Sequence, residues 1–85
     1  MLFRSPADGQ LSSLEPVYYA GYSALAAGRF EDAQATFMTL VAHAPKDPRF
    51  FAGLGKAQQG LGLLHEASMS LALANHLDQI GRAHV

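Results

Sequence analysis

Sliding the chain against itself by 34 residues brings its landmarks into coincidence. Gly21 falls on Gly55, Gly28 on Gly62, Ala33 on Ala67, Phe30 on Leu64, Asp32 on Glu66, Phe37 on Leu71 and Ala20 on Leu54. A fixed period of this length means that one supersecondary unit is used twice and that each copy buries its apolar face against a neighbour. No segment alternates apolar and polar residues with period two, so the expected fold class is all-α.

The period and the residues that carry it resemble the tetratricopeptide (TPR) repeat, whose pattern is a large residue, Leu-Gly, Ala-x3-Phe and then Pro. The first copy supplies Val17, Ala20-Gly21, Ala33-x3-Phe37 and Pro45. The second supplies Phe51, Leu54-Gly55 and Ala67-x3-Leu71, with Gln79 in the proline position. The resemblance implies two TPR helical hairpins, repeat 1 over residues 14–47 and repeat 2 over 48–79, as a truncated fragment of an α-solenoid. Gly21 and Gly55 are expected to let paired helices approach closely. Gly28 and Gly62 are expected to end the first helix of each pair. A glycine inside a helix costs ~1 kcal/mol against alanine, so close packing is its natural compensation. Gly53 and Gly60 fall outside the pattern.

Local signals place the helix ends. Residues 6–13 are a polar lead-in, Pro16 suits a first helical turn, and the first helix is expected over Glu15–Ala27. Gly28 separates it from a second helix over Phe30–His43. In "APKDP", Asp47 is the expected N-cap and Pro48 the first residue of a third helix, which runs to Leu61. Gly62 breaks the chain again, and a fourth helix spans Leu64–Leu77.

The glycine-rich stretch "FFAGLGKAQQGLG" invites comparison with a phosphate-binding loop, but the spacing fails. Gln58 stands where a third fingerprint glycine belongs, no Gly-Lys-Ser/Thr closes the run, and "HAPKDPRFF" upstream is a turn, not a strand. His43, His65 and His76 lie apart, and "HEASM" lacks the second histidine of His-Glu-x-x-His. Ser12, Ser13 and Ser23 have no nucleophile-elbow glycines, and Met38 and Met69 are more often core filler than ligands. The sequence therefore predicts no enzyme, no cofactor and no metal. With no cysteine, disulfide and zinc–thiolate sites are excluded. No apolar run approaches the ~20 residues of a membrane span. The N-terminus lacks a signal pattern, so a cytoplasmic protein is expected. Charged residues make up only 15% against 49% hydrophobic ones, which fits a module that covers part of its surface with a partner.

Both ends stand outside the repeat. Leu2–Ser5 can be written CTC TTC CGA TCT, whose reverse complement AGATCGGAAGAG, in another frame, encodes Ile-Gly-Arg before a codon starting with G. Ile80-Gly81-Arg82-Ala83 matches it. That is a common sequencing adapter, so residues 1–5 and 80–85 are expected to be adapter-derived tails, to be set aside from fold reasoning. Between them, residues 6–79 carry four basic groups against seven acidic ones, a net charge of −3 that gives nucleic acid no basic face to bind.

The first helix bears two stripes. Val17, Ala20, Gly21 and Ala24 are expected to pack on the second helix. Tyr18, Tyr22 and Leu25 point about a right angle away and form a candidate peptide-binding wall, the first helix of each TPR hairpin being the one that lines the concave surface. The equivalent positions in the second repeat are Ala52, Lys56 and Gln59, and Arg49 completes the candidate groove. The alternative is that this stripe packs against an N-terminal segment; the groove is the favoured reading, and the two can coexist.

The stretch from Tyr18 to Gly62 also resembles the class II translocator chaperones of type III secretion (LcrH/SycD-like). It has an aromatic-rich first helix, Gly28-Arg29-Phe30 with Ala33, and Asp47-Pro48-Arg49-Phe50 with Gly53-Leu54-Gly55. The resemblance covers roughly residues 14–78 and gives Gly53 a family context. It implies a non-enzymatic chaperone of three TPRs that keeps hydrophobic translocator proteins unassembled before export. The groove would take an extended segment bearing a Pro-x-Leu-x-x-Pro motif, without membrane insertion, and a homodimer is a further expected state. Leu25 stands where the family usually has tyrosine. Without a third repeat, Leu71, Leu73 and Leu77 of the fourth helix would be left partly uncovered. A generic TPR adaptor, including a needle-subunit chaperone, explains the period equally well. A carboxylate-clamp version of it has only Lys56 to offer.

Overall fold

A computed structural model of the chain describes the backbone of residues 6–83 and the side chains of residues 14–81. The expected tail at 1–5 and the last two residues of the one at 80–85 lie outside the described residues. Four α-helices follow in order: α1 Pro6–Ala26, α2 Phe30–His43, α3 Pro48–Gly60 and α4 Leu64–Ala83. No strand occurs among the described residues, and none of these helices is long and apolar enough to cross a membrane.

The two hairpins turn in the same way. Gly28 has φ +77° and Gly62 φ +80°, a conformation that glycine alone adopts without strain. The Gly28 N–H donates to the Leu25 carbonyl at 3.1 Å and the Arg29 N–H to Ala24 at 2.9 Å. Thirty-four residues on, Gly62 donates to Gln59 at 3.0 Å and Leu63 to Gln58 at 2.9 Å. Both are Schellman closures, which satisfy carbonyls the helix end would otherwise strand.

Two boundaries differ from expectation. The polar lead-in at 6–13 is helical, so Pro16 lies inside α1 and not in its first turn. Pro6, with its fixed φ, takes the first helical position instead. Pro16 forfeits one ladder bond without ending the helix. At the other end α4 runs six residues past Leu77. α2 stops before Pro45, but residue 79 is glutamine, so nothing forbids continuation, and Ile80–Ala83 remain in the helix.

α3 begins as its residues dictate. Pro48 occupies the first turn and the Asp47 carboxylate accepts from the Arg49 N–H at 2.9 Å. The same carboxylate is gripped by the Arg49 guanidinium, Nη2 at 2.8 Å and Nε at 3.1 Å. Hydrogen bonding from Arg49, above all its side chain, holds the Asp47 carboxyl below its ordinary value. A lowered folded-state value means stability that is fully present above pH ~4 and lost as pH falls further, through the folded-state value. Asp47→Ala is therefore expected to cost about 1 kcal/mol at neutral pH and to flatten this acid-side loss, read by denaturant unfolding between pH 2 and 7.

The core sits where α1, α2 and α3 meet. Phe37, Leu40 and Phe50 are its large, fully buried side chains, with Ala24, Ala33, Leu54 and Ala57 around them. Phe37 lies between two glycines. A Cβ added at Gly21 would come within 2.8 Å of its ring from α1, and one added at Gly53 would run into the ring from α3. The otherwise unexplained glycines are thereby accounted for, since a Cβ at Gly60 would likewise overlap the Phe30 ring. The α3–α4 pair repeats the contact in reduced form, with Gly55 facing Leu71. There the position equivalent to Ala24 is Gln58, buried, whose Oε1 accepts from Ser70 Oγ at 2.7 Å. A satisfied polar pair thus replaces an apolar contact.

Each helix packs on the next, and α1 also touches α3, while α4 packs on α3 alone among the described residues. The assembly is 17 Å thick, about two helices deep. On α4, Leu71 and Leu77 are half-buried, and Leu73, Met69 and Ile80 are exposed.

Candidate functional site

The face shared by α1 and α3 gathers most of the chemistry in the molecule. Tyr18 and Tyr22 are one helical turn apart, and their rings meet edge to face with centroids 5.1 Å apart. Tyr22 stands edge-on to Phe37 at 5.3 Å and Tyr18 to Phe37 at 6.3 Å, while Tyr18 tilts over Phe50 at 5.6 Å. Edge-to-face geometry brings the positive rim of one ring to the negative face of another, so the four aromatics brace one another. Both tyrosines are half-buried, with one side on the core and the other at the surface. Burial, reinforced by Tyr22, raises the Tyr18 hydroxyl above its ordinary value and keeps it neutral.

A cation from α3 covers each tyrosine. The Arg49 guanidinium carbon is 4.9 Å from the Tyr18 centroid, and Lys56 Nζ is 5.5 Å from that of Tyr22. Arg49 also lies 5.2 Å from the Phe50 centroid and 3.9 Å from a Glu15 carboxylate oxygen. Its hydrogen bond to Asp47 raises the guanidinium value further.

Of the residues singled out in the sequence, the structure joins Tyr18 with Arg49 and Tyr22 with Lys56. Leu25 is half-buried against the core and Ala52 is half-buried, whereas Gln59 is exposed beyond Lys56. The two stripes of α1 are less separate than the helical projection implies. Tyr18 and Tyr22 press on the same Phe37 that Gly21 accommodates, and Ala20, expected against α2, is exposed. Three participants were missed. Phe50 is buried beneath Tyr18, and Glu15 and Asp47 flank Arg49. The Asp-Pro-Arg spacing at 47–49 carried a signal for the second pair, because an N-cap carboxylate and a side chain two residues on share one turn. Nothing local marked Glu15.

An open depression of about 310 Å³ lies elsewhere, lined by Gly28, Arg29, Phe30, Glu31, Asp32 and Leu61. Its Arg29–Asp32 pair, 3.5 Å apart, is well exposed and salt-screened.

No protein-family model matches the chain, and neither does any curated protein or solved structure.

Proposed function

We propose that this chain is a pair of TPR hairpins belonging to a non-enzymatic chaperone of type III secretion. It holds a hydrophobic translocator protein by an extended segment, in the cytoplasm, before export. The observation that carries the proposal is the aromatic wall itself: Tyr18 and Tyr22 on the first helix of one hairpin, facing cations on the first helix of the next. The 34-residue repetition of both Schellman turns supports the TPR assignment, as does the contact order, in which each helix packs on the next and α1 reaches α3. An apolar ledge with polar edges suits a peptide that buries one or two side chains and leaves its backbone polar groups at the rim.

A generic TPR adaptor, including a needle-subunit chaperone, is the second reading, favoured by Leu25 where the chaperones usually carry tyrosine. The two part on the partner. A fluorescein-labelled Pro-x-Leu-x-x-Pro peptide, titrated by anisotropy, is expected to bind the parent protein. Tyr22→Ala is expected to weaken it at least about tenfold, as aromatic anchors at interface centres do. Because Tyr22 also packs on Phe37, Tyr22→Leu, which keeps apolar volume, is measured alongside, with helicity checked by circular dichroism. Undiminished binding by both variants would remove the groove from consideration, and absence of binding by the parent protein would leave the adaptor reading.

A further inference from the structure

The two cations on the aromatic wall are not equivalent. Arg49 already has its counter-charges, Asp47 at 2.8 Å and Glu15 at 3.9 Å. Lys56 is exposed, its ammonium rests over the Tyr22 ring, and it takes part in no ion pair among the described residues. Seven residues of helix separate them, about 10 Å, which an extended chain crosses in about three residues.

That asymmetry constrains an occupant. An apolar side chain docking on Tyr22 must cover the Lys56 ammonium or displace it, and covering an unpaired ammonium is unfavourable. A carboxylate on the same ligand removes the difficulty by supplying a charge-assisted acceptor. At the Tyr18 end the reverse holds, because Asp47 and Glu15 repel a carboxylate there. The surface is electrostatically directional, receptive to an anion at one end only.

Resting on the groove proposed above, we propose that it selects an extended protein segment carrying a carboxylate beside its apolar anchor. Lys56 is the specificity-determining residue that receives this carboxylate. Arg49 braces the wall and takes no part in the choice. The bound segment is thereby oriented, its acidic residue towards Lys56 and Gln59.

The test uses three labelled peptides that differ at one position: Pro-Ala-Leu-Ala-Glu-Pro and its counterparts with Gln or Lys in place of Glu. Anisotropy titrations at low and high salt are run with the full chain. The Glu peptide is expected to bind about fivefold more tightly than the Gln peptide, a preference that shrinks with salt. Lys56→Gln should abolish it, Lys56→Glu should turn it towards the Lys peptide, and Arg49→Gln should leave it intact. A preference indifferent to Lys56, or one lost on changing Arg49, overturns the assignment. If Tyr22→Leu weakens all three peptides while Lys56→Gln changes nothing, the charge selection fails and the groove stands. If no peptide binds the parent protein, the chaperone reading and the charge selection that rests on it fail together, and the adaptor reading is left.

Discussion

Phe37→Ala is expected to remove about 4 kcal/mol of stability, the middle of the range for truncating a buried aromatic. A chain of this length has a total of only about 4–13 kcal/mol to lose, so at the low end of that range about half of the variant or more is unfolded at 25 °C. The reason is position as much as size. Phe37 is fully buried, two glycines give way to its ring, and Tyr18 and Tyr22 rest on its edge. Neither glycine has a side chain that could swing into the space, so the cavity stays open. Urea unfolding followed by circular dichroism measures the loss. A change under 1 kcal/mol would mean that the three helices are not held together around this ring. The same variant should weaken any ligand of the aromatic wall, since the tyrosines lose the surface that fixes their rotamers.

Gly53→Ala approaches the same contact from the opposite side. In an exposed helix the change stabilises by up to ~1 kcal/mol, because alanine is the better helix former. Here the new methyl would overlap the Phe37 ring, which is confined on its other side by Gly21. Overpacking of this kind costs about 1–3 kcal/mol or more, and the helix-propensity gain does not offset it, so a net loss of about 2 kcal/mol is expected. Combining Gly53→Ala with Phe37→Leu separates steric conflict from other causes. The double variant should be at least about 1 kcal/mol more stable than the sum of the single changes allows. Strict additivity would sink the explanation. Gly81→Ala is the contrasting control: nothing lies within 4 Å of the added Cβ, and no loss is expected there.

The parts of the fold legible in the sequence are those written within a few residues of one another. Gly28 and Gly62 announce turns because a positive φ is a local demand. Asp47-Pro48 announces a helix start because cap and first turn are adjacent. The α2 boundaries, Phe30–His43, fall where the residues place them. Where local signals are weak, expectation and structure separate. Pro16 suits a beginning by local rule, yet it lies within α1, where a proline loses a ladder bond without ending the helix. The repeat pattern ends the fourth helix at Leu77, but no breaker stands there and α4 continues to Ala83.

The candidate site divides along the same line. Tyr18 and Tyr22 fall on one stripe by simple helical spacing, and the 34-residue shift puts Lys56 opposite Tyr22. Helical projection also set Gly21 and Tyr22 on different faces, whereas Phe37 is broad enough to touch both. The repeat pattern gives the large-residue position to Phe51, the equivalent of Val17, yet it is Phe50 that is buried beneath Tyr18 and Phe51 only half so. Glu15 and Arg49 lie 34 residues apart and come within 3.9 Å only because α1 is laid against α3.

By itself, then, the sequence determined an all-helical chain, its 34-residue repetition, its turns and its caps, since each rests on backbone preferences acting over one or two helical turns. Tertiary structure alone decided which glycines are sockets, which aromatics are buried, and which of two similar cations is already paired. Those outcomes depend on the distance between side chains from different helices, a quantity set only when the helices pack.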